Sequence, residues 1–207
     1  MSRRTVLQNH THFQDQIDNI IQYGLDIIND RLSYFGGDQK QQQKSMLLES
    51  LLLRSCALWE SFVENEVVFL VALEPTKLKS ETGLPQNTRL NLKLIRALLF
   101  SDTYRTYYNI EQSKPILNRL LSDKYNLFKQ IKKEQLDKIS FVYKLRNYLS
   151  HYSVFAKRQL LNAYKKHCSY KRFLEPGMFL IKQKGKHFEN LIHNFKLTSL
   201  SMQVNFK

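Results

Sequence analysis

Cysteine is nearly absent from this sequence: 207 residues contain only Cys56 and Cys168, far apart and each inside a helical pattern. A disulfide framework and a cysteine metal site are thereby excluded, and both thiols read as small buried hydrophobes suited to a reducing cytosol. Long apolar runs are also missing. The longest, Val67 to Leu73, falls far short of the roughly 20 residues that a membrane span requires. From Ser2 to Gln16 the chain is polar where the apolar core of a signal peptide would lie. These absences predict a soluble, cytoplasmic protein with no membrane partner. No internal repeat occurs, and the only low-complexity tract is Gln41-Gln42-Gln43.

Several chemistries lack their equipment. His10 and His12 fall in a terminus expected to be loose, and His187 and His193 have no cysteines or carboxylates at ligand spacing, so no metal site and no cofactor is expected. Gly185-Lys186 is followed by His187 and lacks the earlier glycine of a phosphate-binding loop, and no G-x-S-x-G occurs.

Acidic residues run short in one part of the chain. Residues 1–122 hold 14 Lys and Arg against 13 Asp and Glu, whereas residues 123–207 hold 18 against 5, so nearly all of the +14 net charge is C-terminal. Such asymmetry points to a polyanionic partner, above all nucleic acid, because neutralised phosphates release counterions.

What is present is helix after helix. Phe13, Ile17, Ile20, Ile21, Leu25, Ile28 and Leu32 recur at spacings of three and four, which predicts a first amphipathic helix ended by Gly36-Gly37. Asp38 is placed to cap a second, from about Gln39 to Leu73, whose apolar residues nearly encircle the axis and mark it as the central helix. Glu74-Pro75 stops it. A third fits Leu90 to Phe100. The tract Ser101 to Lys114 is irregular, and Pro115 suits the first turn of a further helix with Ser113 as cap. Another runs from Glu134 through Leu149, and one capped by Ser153 extends to about Leu174. Only the tail has segments compatible with strands, Met178 to Gln183 and Thr198 to Phe206. The expectation is an all-α antiparallel bundle over residues 1–155, with a basic C-terminal extension over 156–207 packed on the same domain.

Chemistry concentrates in Arg146-Asn147-Tyr148-Leu149-Ser150-His151. Asn147 and His151 stand four apart on one helical face, with Arg146 about 100° round from Asn147. Arg offers a planar fork of donors to phosphate oxygens, and His exchanges protons near neutral pH. Tyr148 and Tyr152 read as packing residues. Further along, Arg158, Asn162, Lys165, Ser169 and Arg172 form a stripe at spacings of four and three. With Lys144 inside the basic field, Arg158, Lys165 and Arg172 are candidate RNA contacts; Phe173, Phe179 and Phe188 offer either stacking surfaces for bases or a core.

Together, the helical pattern, the late Arg-Asn-x-x-x-His and the basic C-terminal region resemble the HEPN superfamily, whose signature is Arg-x4-6-His. Trp59-Glu60-x-Phe62 is similar to a W-E-x-F stretch in HEPN proteins of the bacterial toxin and defence type. The resemblance covers roughly residues 10–155 and implies a homodimer and a metal-independent endoribonuclease. In it Arg146, Asn147 and His151 would be catalytic, Glu60 supporting, and an antitoxin or regulatory protein a possible partner. Two positions depart from the family. Tyr152 stands where many members place Gly, and Ser153 stands where one subset carries a tyrosine that is modified to silence the toxin. The alternative is a catalytically silent helical dimer that binds RNA or a protein partner.

Overall fold

Seven buried positions, Val6, His10, Phe13, Ile17, Ile20, Gly24 and Ile27, alternate at spacings of four and three along the first helix, α1 (Arg3–Ile28). That stripe begins at Val6, seven residues before the Phe13 at which the sequence pattern starts. The polar His10 and the small Gly24 sit at core positions and interrupt the apolar pattern. The computed structural model describes residues 2–31, 39–100, 107 and 109–203. Every regular element among them is helical, as the all-α reading requires. The expected stop at Gly36-Gly37 and the cap at Asp38 lie outside the described residues.

The remaining helices are α2 (Lys40–Leu73), α3 (Thr76–Glu81), α4 (Leu92–Phe100), α5 (Ile110–Leu120), α6 (Lys133–His151), α7 (Val154–Cys168), α8 (Pro176–Ile181) and α9 (Lys186–Gln203), with 3₁₀ turns at Leu127–Gln130 and Lys182–Gly185. Three expectations need correction. The tail segments 178–181 and 198–203 are helical, not extended. Phe179, Leu180, Phe188, Leu191, Ile192 and Phe195 are buried at helical spacings, so a tail that reads as β-compatible in isolation is helical once its core contacts form. Second, α5 starts at Ile110 because Asn109 accepts a hydrogen bond from the Gln112 N–H at 3.4 Å. Ser113 is therefore buried within the helix instead of capping it, and Pro115 lies inside it. Third, α7 ends at Cys168, since Ser169 adopts a left-handed backbone with φ of 57°.

The chain divides into two compact units. The expected boundary at 155/156 falls within α7. One unit comprises Met1–Gln14, Leu58–Lys132 and Thr198–Lys207. Here the C-terminal half of α2 is buried on nearly all sides, through Trp59, Phe62, Val63, Val67, Val68, Leu70 and Val71. Phe13 stacks on Phe62 at 4.4 Å and tilts against Trp59 at 5.8 Å. Beside these rings is a buried polar network. Glu66 takes hydrogen bonds from His10 Nε2 and Asn9 Nδ2, each at 3.0 Å, and both His10 and Glu66 are 0% exposed. His10, expected in a loose terminus, is thus a core residue. Farther along, Lys77 Nζ donates to the carbonyls of Asn118 and Leu121 at 3.1 and 2.8 Å, a cation closing the C-terminal end of α5 where the helix dipole favours one.

The other unit comprises Asp15–Ala57 and Lys133–Leu197. In it the N-terminal half of α2 has one buried face, with Leu48, Leu52 and Cys56, while Met46, Leu47 and Leu53 stay exposed. The encircling burial expected of the whole helix therefore holds only for its second half. Close approach is built on glycine. A Cβ on Gly24 would lie 2.1 Å from the buried Phe188 ring, and one on Gly177 would lie 1.9 Å from Ser45 Oγ. Glu49 accepts from the Gly177 N–H at 2.7 Å, tying the start of α8 to α2.

The Glu66 network generates a stability prediction. Glu66→Ala leaves the His10 and Asn9 donors buried without an acceptor and should cost about 3–5 kcal/mol, whereas Glu66→Gln, which keeps one acceptor oxygen, should cost less. Urea unfolding of the three proteins checks the order.

Candidate functional site

Helix α6 is held to its own unit by an inward face of Leu136, Ile139, Val142, Tyr143, Leu145, Tyr148 and Leu149. Near its start, Gln135 Nε2 donates to the Leu197 carbonyl at 3.1 Å and Asn194 Nδ2 to the Gln135 carbonyl at 3.0 Å. Toward its end, Tyr148 donates its hydroxyl to Glu175 at 3.2 Å and packs edge-on against Phe173 at 5.1 Å. The packing role expected of Tyr148 is what the structure shows. These contacts set the rotation of the last turn of α6, so Arg146, Asn147 and His151 face away from the core.

The connection to α7 is two residues long. Tyr152 takes a left-handed backbone with φ of 46° and its N–H closes onto the Tyr148 carbonyl at 2.7 Å. Glycine suits such a C-terminal position because it has no Cβ, so Tyr152 occupies a conformation that glycine would adopt without strain. The ring offsets part of the strain by tilting onto Tyr148 at 5.3 Å. Ser153 then caps α7, its Oγ accepting from the Ala156 N–H at 3.1 Å. The two helices pack as a hairpin: Phe141 of α6 stacks on His167 of α7 at 5.1 Å, and Lys166 reaches Asp137 at 3.5 Å.

Beside the turn that joins the two helices is a cleft of about 350 Å³, lined by Lys144, Asn147, His151, Ser153, Phe155, Ala156 and Gln159. Asn147 and His151 share it, as their spacing of four predicts, and Lys144 lies on the same wall. Arg146 is not part of that lining. Its guanidinium Nη1 donates to Asn147 Oδ1 at 3.4 Å, placing the fixed cation beside the cleft wall. Among the described residues no carboxylate pairs with Lys144, Arg146 or His151. The local field is cationic: burial holds the His167 imidazole below its ordinary value, and the Lys166 and Lys144 ammoniums push it further down against the opposing pull of Asp137.

The other residues singled out in the sequence are dispersed. Glu60 is half-buried on α2 in the unit that does not contain α6, and it does not line the cleft. Its charge acts on Glu64, whose carboxyl is pushed up by burial and then by Glu60, while Arg96 opposes both. Arg158, Asn162 and Lys165 form an exposed strip on α7, but Ser169 leaves the helix in its left-handed turn and Arg172 lies beyond it. The five-residue stripe is therefore three residues long.

Of the three phenylalanines considered for base stacking, two are core groups and Phe173 is half-buried against other rings. Phe179 and Phe188 are 0% exposed, and Phe173 packs against Tyr148 and Tyr164 with the Lys157 ammonium 4.5 Å from its ring centre. Tyr152, expected to pack, keeps its ring largely exposed, and Phe155, which sequence reasoning missed, is more exposed still. Helical phase holds a signal for it, because Phe155 stands about 140° around the axis from the buried Leu160. Among the described residues no three His, Cys, Asp or Glu side chains gather as a metal-ligand set, and no helix is long and apolar enough to cross a membrane.

The fold and the cleft thus define an all-α chain with an imidazole, two amides and an ammonium around one opening. No protein-family model, curated protein or solved structure matches the chain.

Two predictions follow from this geometry. Tyr152→Gly removes the ring contact together with the left-handed strain, whereas Tyr152→Ala removes the contact and keeps the strain. Melting curves should rank alanine as the less stable of the two, by about 1 kcal/mol.

The second concerns Glu49, behind Tyr148. Burial pushes its carboxyl above the ordinary value and the nearby Glu175 charge adds to this, with the Gly177 N–H opposing. A carboxyl with a raised folded pKa binds its proton more tightly in the folded state, so its contribution to stability is present at acid pH and lost as pH rises through that value. Glu49→Gln should therefore be more stable than the parent at pH 7. The gap should close as pH falls through the folded Glu49 value toward 4. Unfolding midpoints measured across that range test the trend.

Proposed function

We propose that this protein is an endoribonuclease that cleaves RNA through attack by the internal 2′-hydroxyl, and that it acts as a toxin or defence effector. The observation that carries the reading is the placement of Asn147 and His151 in one solvent-open cleft with Lys144, beside Arg146, with no carboxylate neutralising the cations among the described residues. The basic excess of residues 123–207 supplies attraction for a polyanion, and the Arg-Asn-x-x-x-His resemblance to HEPN ribonucleases points the same way.

In this chemistry a base removes the 2′-hydroxyl proton as the oxygen attacks phosphorus. The new P–O2′ bond forms, the P–O5′ bond breaks, and an acid protonates the departing 5′-oxygen. One imidazole per chain is half of that set, so a homodimer would supply His151 twice, as base and as acid. Arg146 and Lys144 would hold charge on the five-coordinate phosphate, and Asn147, accepting from Arg146, would position that cation. Arg158 and Lys165 would extend the phosphate contacts along α7. The step needs no metal or cofactor.

A silent RNA-binding or protein-binding dimer is the second reading, and the position of Arg146 outside the cleft lining favours it. Cleavage separates the two. Purified protein should cut RNA in excess EDTA and leave 2′,3′-cyclic phosphate and 5′-hydroxyl ends, identified by mass spectrometry. His151→Ala should lose at least about 10²–10⁴-fold in rate while retaining its helical circular dichroism. Intact RNA after incubation with the parent protein, or 5′-phosphate ends that require a divalent ion, would overturn the ribonuclease reading.

A further inference from the structure

We infer that the cleft beside His151 is a subsite for one unpaired nucleobase, with Phe155 as the stacking wall and Gln159 as the group that reads the base edge. This rests on the ribonuclease reading and adds a source of nucleotide preference at the position next to the cleaved phosphate.

Three observations carry it. Phe155 is 70% exposed and its neighbour Val154 79%, yet the Phe155 ring lines a cleft and makes no ring contact among the described residues. By contrast, Phe141, Tyr164, Phe173 and Phe179 are engaged with one another or with neighbouring rings. A phenylalanine left open to water at the mouth of a cleft has its apolar face available to a planar partner. Second, the rest of the lining is polar in a way that suits a heterocycle. Gln159 and Asn147 are amides, each with donors and an acceptor, and Lys144 is a cation on the same wall. Third, the cleft of about 350 Å³ lies at the low end of the roughly 300–1,000 Å³ typical of ligand pockets, which fits one nucleotide and no longer segment.

The geometry also assigns roles. Asn147 Oδ1 is turned to the Arg146 guanidinium, which directs that amide toward the phosphate-binding side. The Gln159 side chain forms no hydrogen bond among the described residues and sits one turn along α7 from Phe155, so a base stacked on the ring would present its edge to the Gln159 amide. Because stacking requires an unpaired base, the substrate is single-stranded at this position.

The test uses the full chain and short, labelled single-stranded RNAs that differ only at one central nucleotide, carrying A, C, G, U or no base. 2′-Fluoro sugars at every position block cutting during affinity measurements, and all-ribose versions report cleavage. For the parent protein, removing the central base should weaken binding about ten- to a hundredfold. In Phe155→Ala that loss should vanish, with affinity already low, and Phe155→Trp should restore it. Gln159→Leu should bring the affinities for the four bases together. Since Phe155 is exposed, an unchanged melting temperature shows that the alanine variant is folded.

Failures are distinguishable. If the parent binds and cleaves but Phe155→Ala keeps the full dependence on the central base, the subsite is wrong and the ribonuclease reading stands. A parent that binds none of the RNAs overturns both. If Phe155→Ala changes the sedimenting mass and leaves base dependence intact, the ring contacts protein, and the subsite is overturned.

Discussion

The left-handed turn at Tyr152 is the constraint on which the site depends. It stops α6 at His151 and lets Ser153 start α7 two residues later, so the two helices double back as a hairpin with a cleft at the joint. A helix that continued through Tyr152 would carry Phe155 and Gln159 onward along the α6 axis, away from Asn147 and His151. The turn is held by tyrosine instead of glycine, and the Tyr148–Tyr152 ring contact links its strain to the buried anchor of α6. Tyr148 in turn leans on Glu175 and Phe173. The cleft is therefore braced from behind by aromatic packing.

The aromatics divide by burial. Phe141, Tyr164 and Phe179 form one connected buried cluster, and Phe179 also stacks on His187 at 4.4 Å. Burial of such side chains removes large apolar areas from water and stabilises the unit. Phe155 contributes nothing of that kind. An exposed ring beside an imidazole, two amides and cations that pair with no carboxylate among the described residues is more informative than any buried aromatic, because packing gives no reason for it.

The polar core residues follow the opposite logic. His10 and Glu66 are removed from water entirely, and such groups are tolerable only when hydrogen-bonded to one another. Their presence on α1 and α2 ties the N-terminal turns of the chain into a core that a hydrophobicity pattern would assign to solvent. Sequence reasoning placed His10 in a loose terminus, ahead of the apolar pattern that starts at Phe13, because its acceptor lies 56 residues away in the chain.

Local periodicity was enough to establish the helical class, the span of α2 to within a residue at its start, the cap at Ser153 and the shared face of Asn147 and His151, because each is a matter of spacing within a few turns of one helix. Tertiary structure alone decided that Arg146 sits beside the cleft lining, that Glu60 does not line it, that the tail is helical and that Phe155 stands open to water. These depend on which face each helix turns to its neighbours, and that is settled by contacts between residues far apart in the chain.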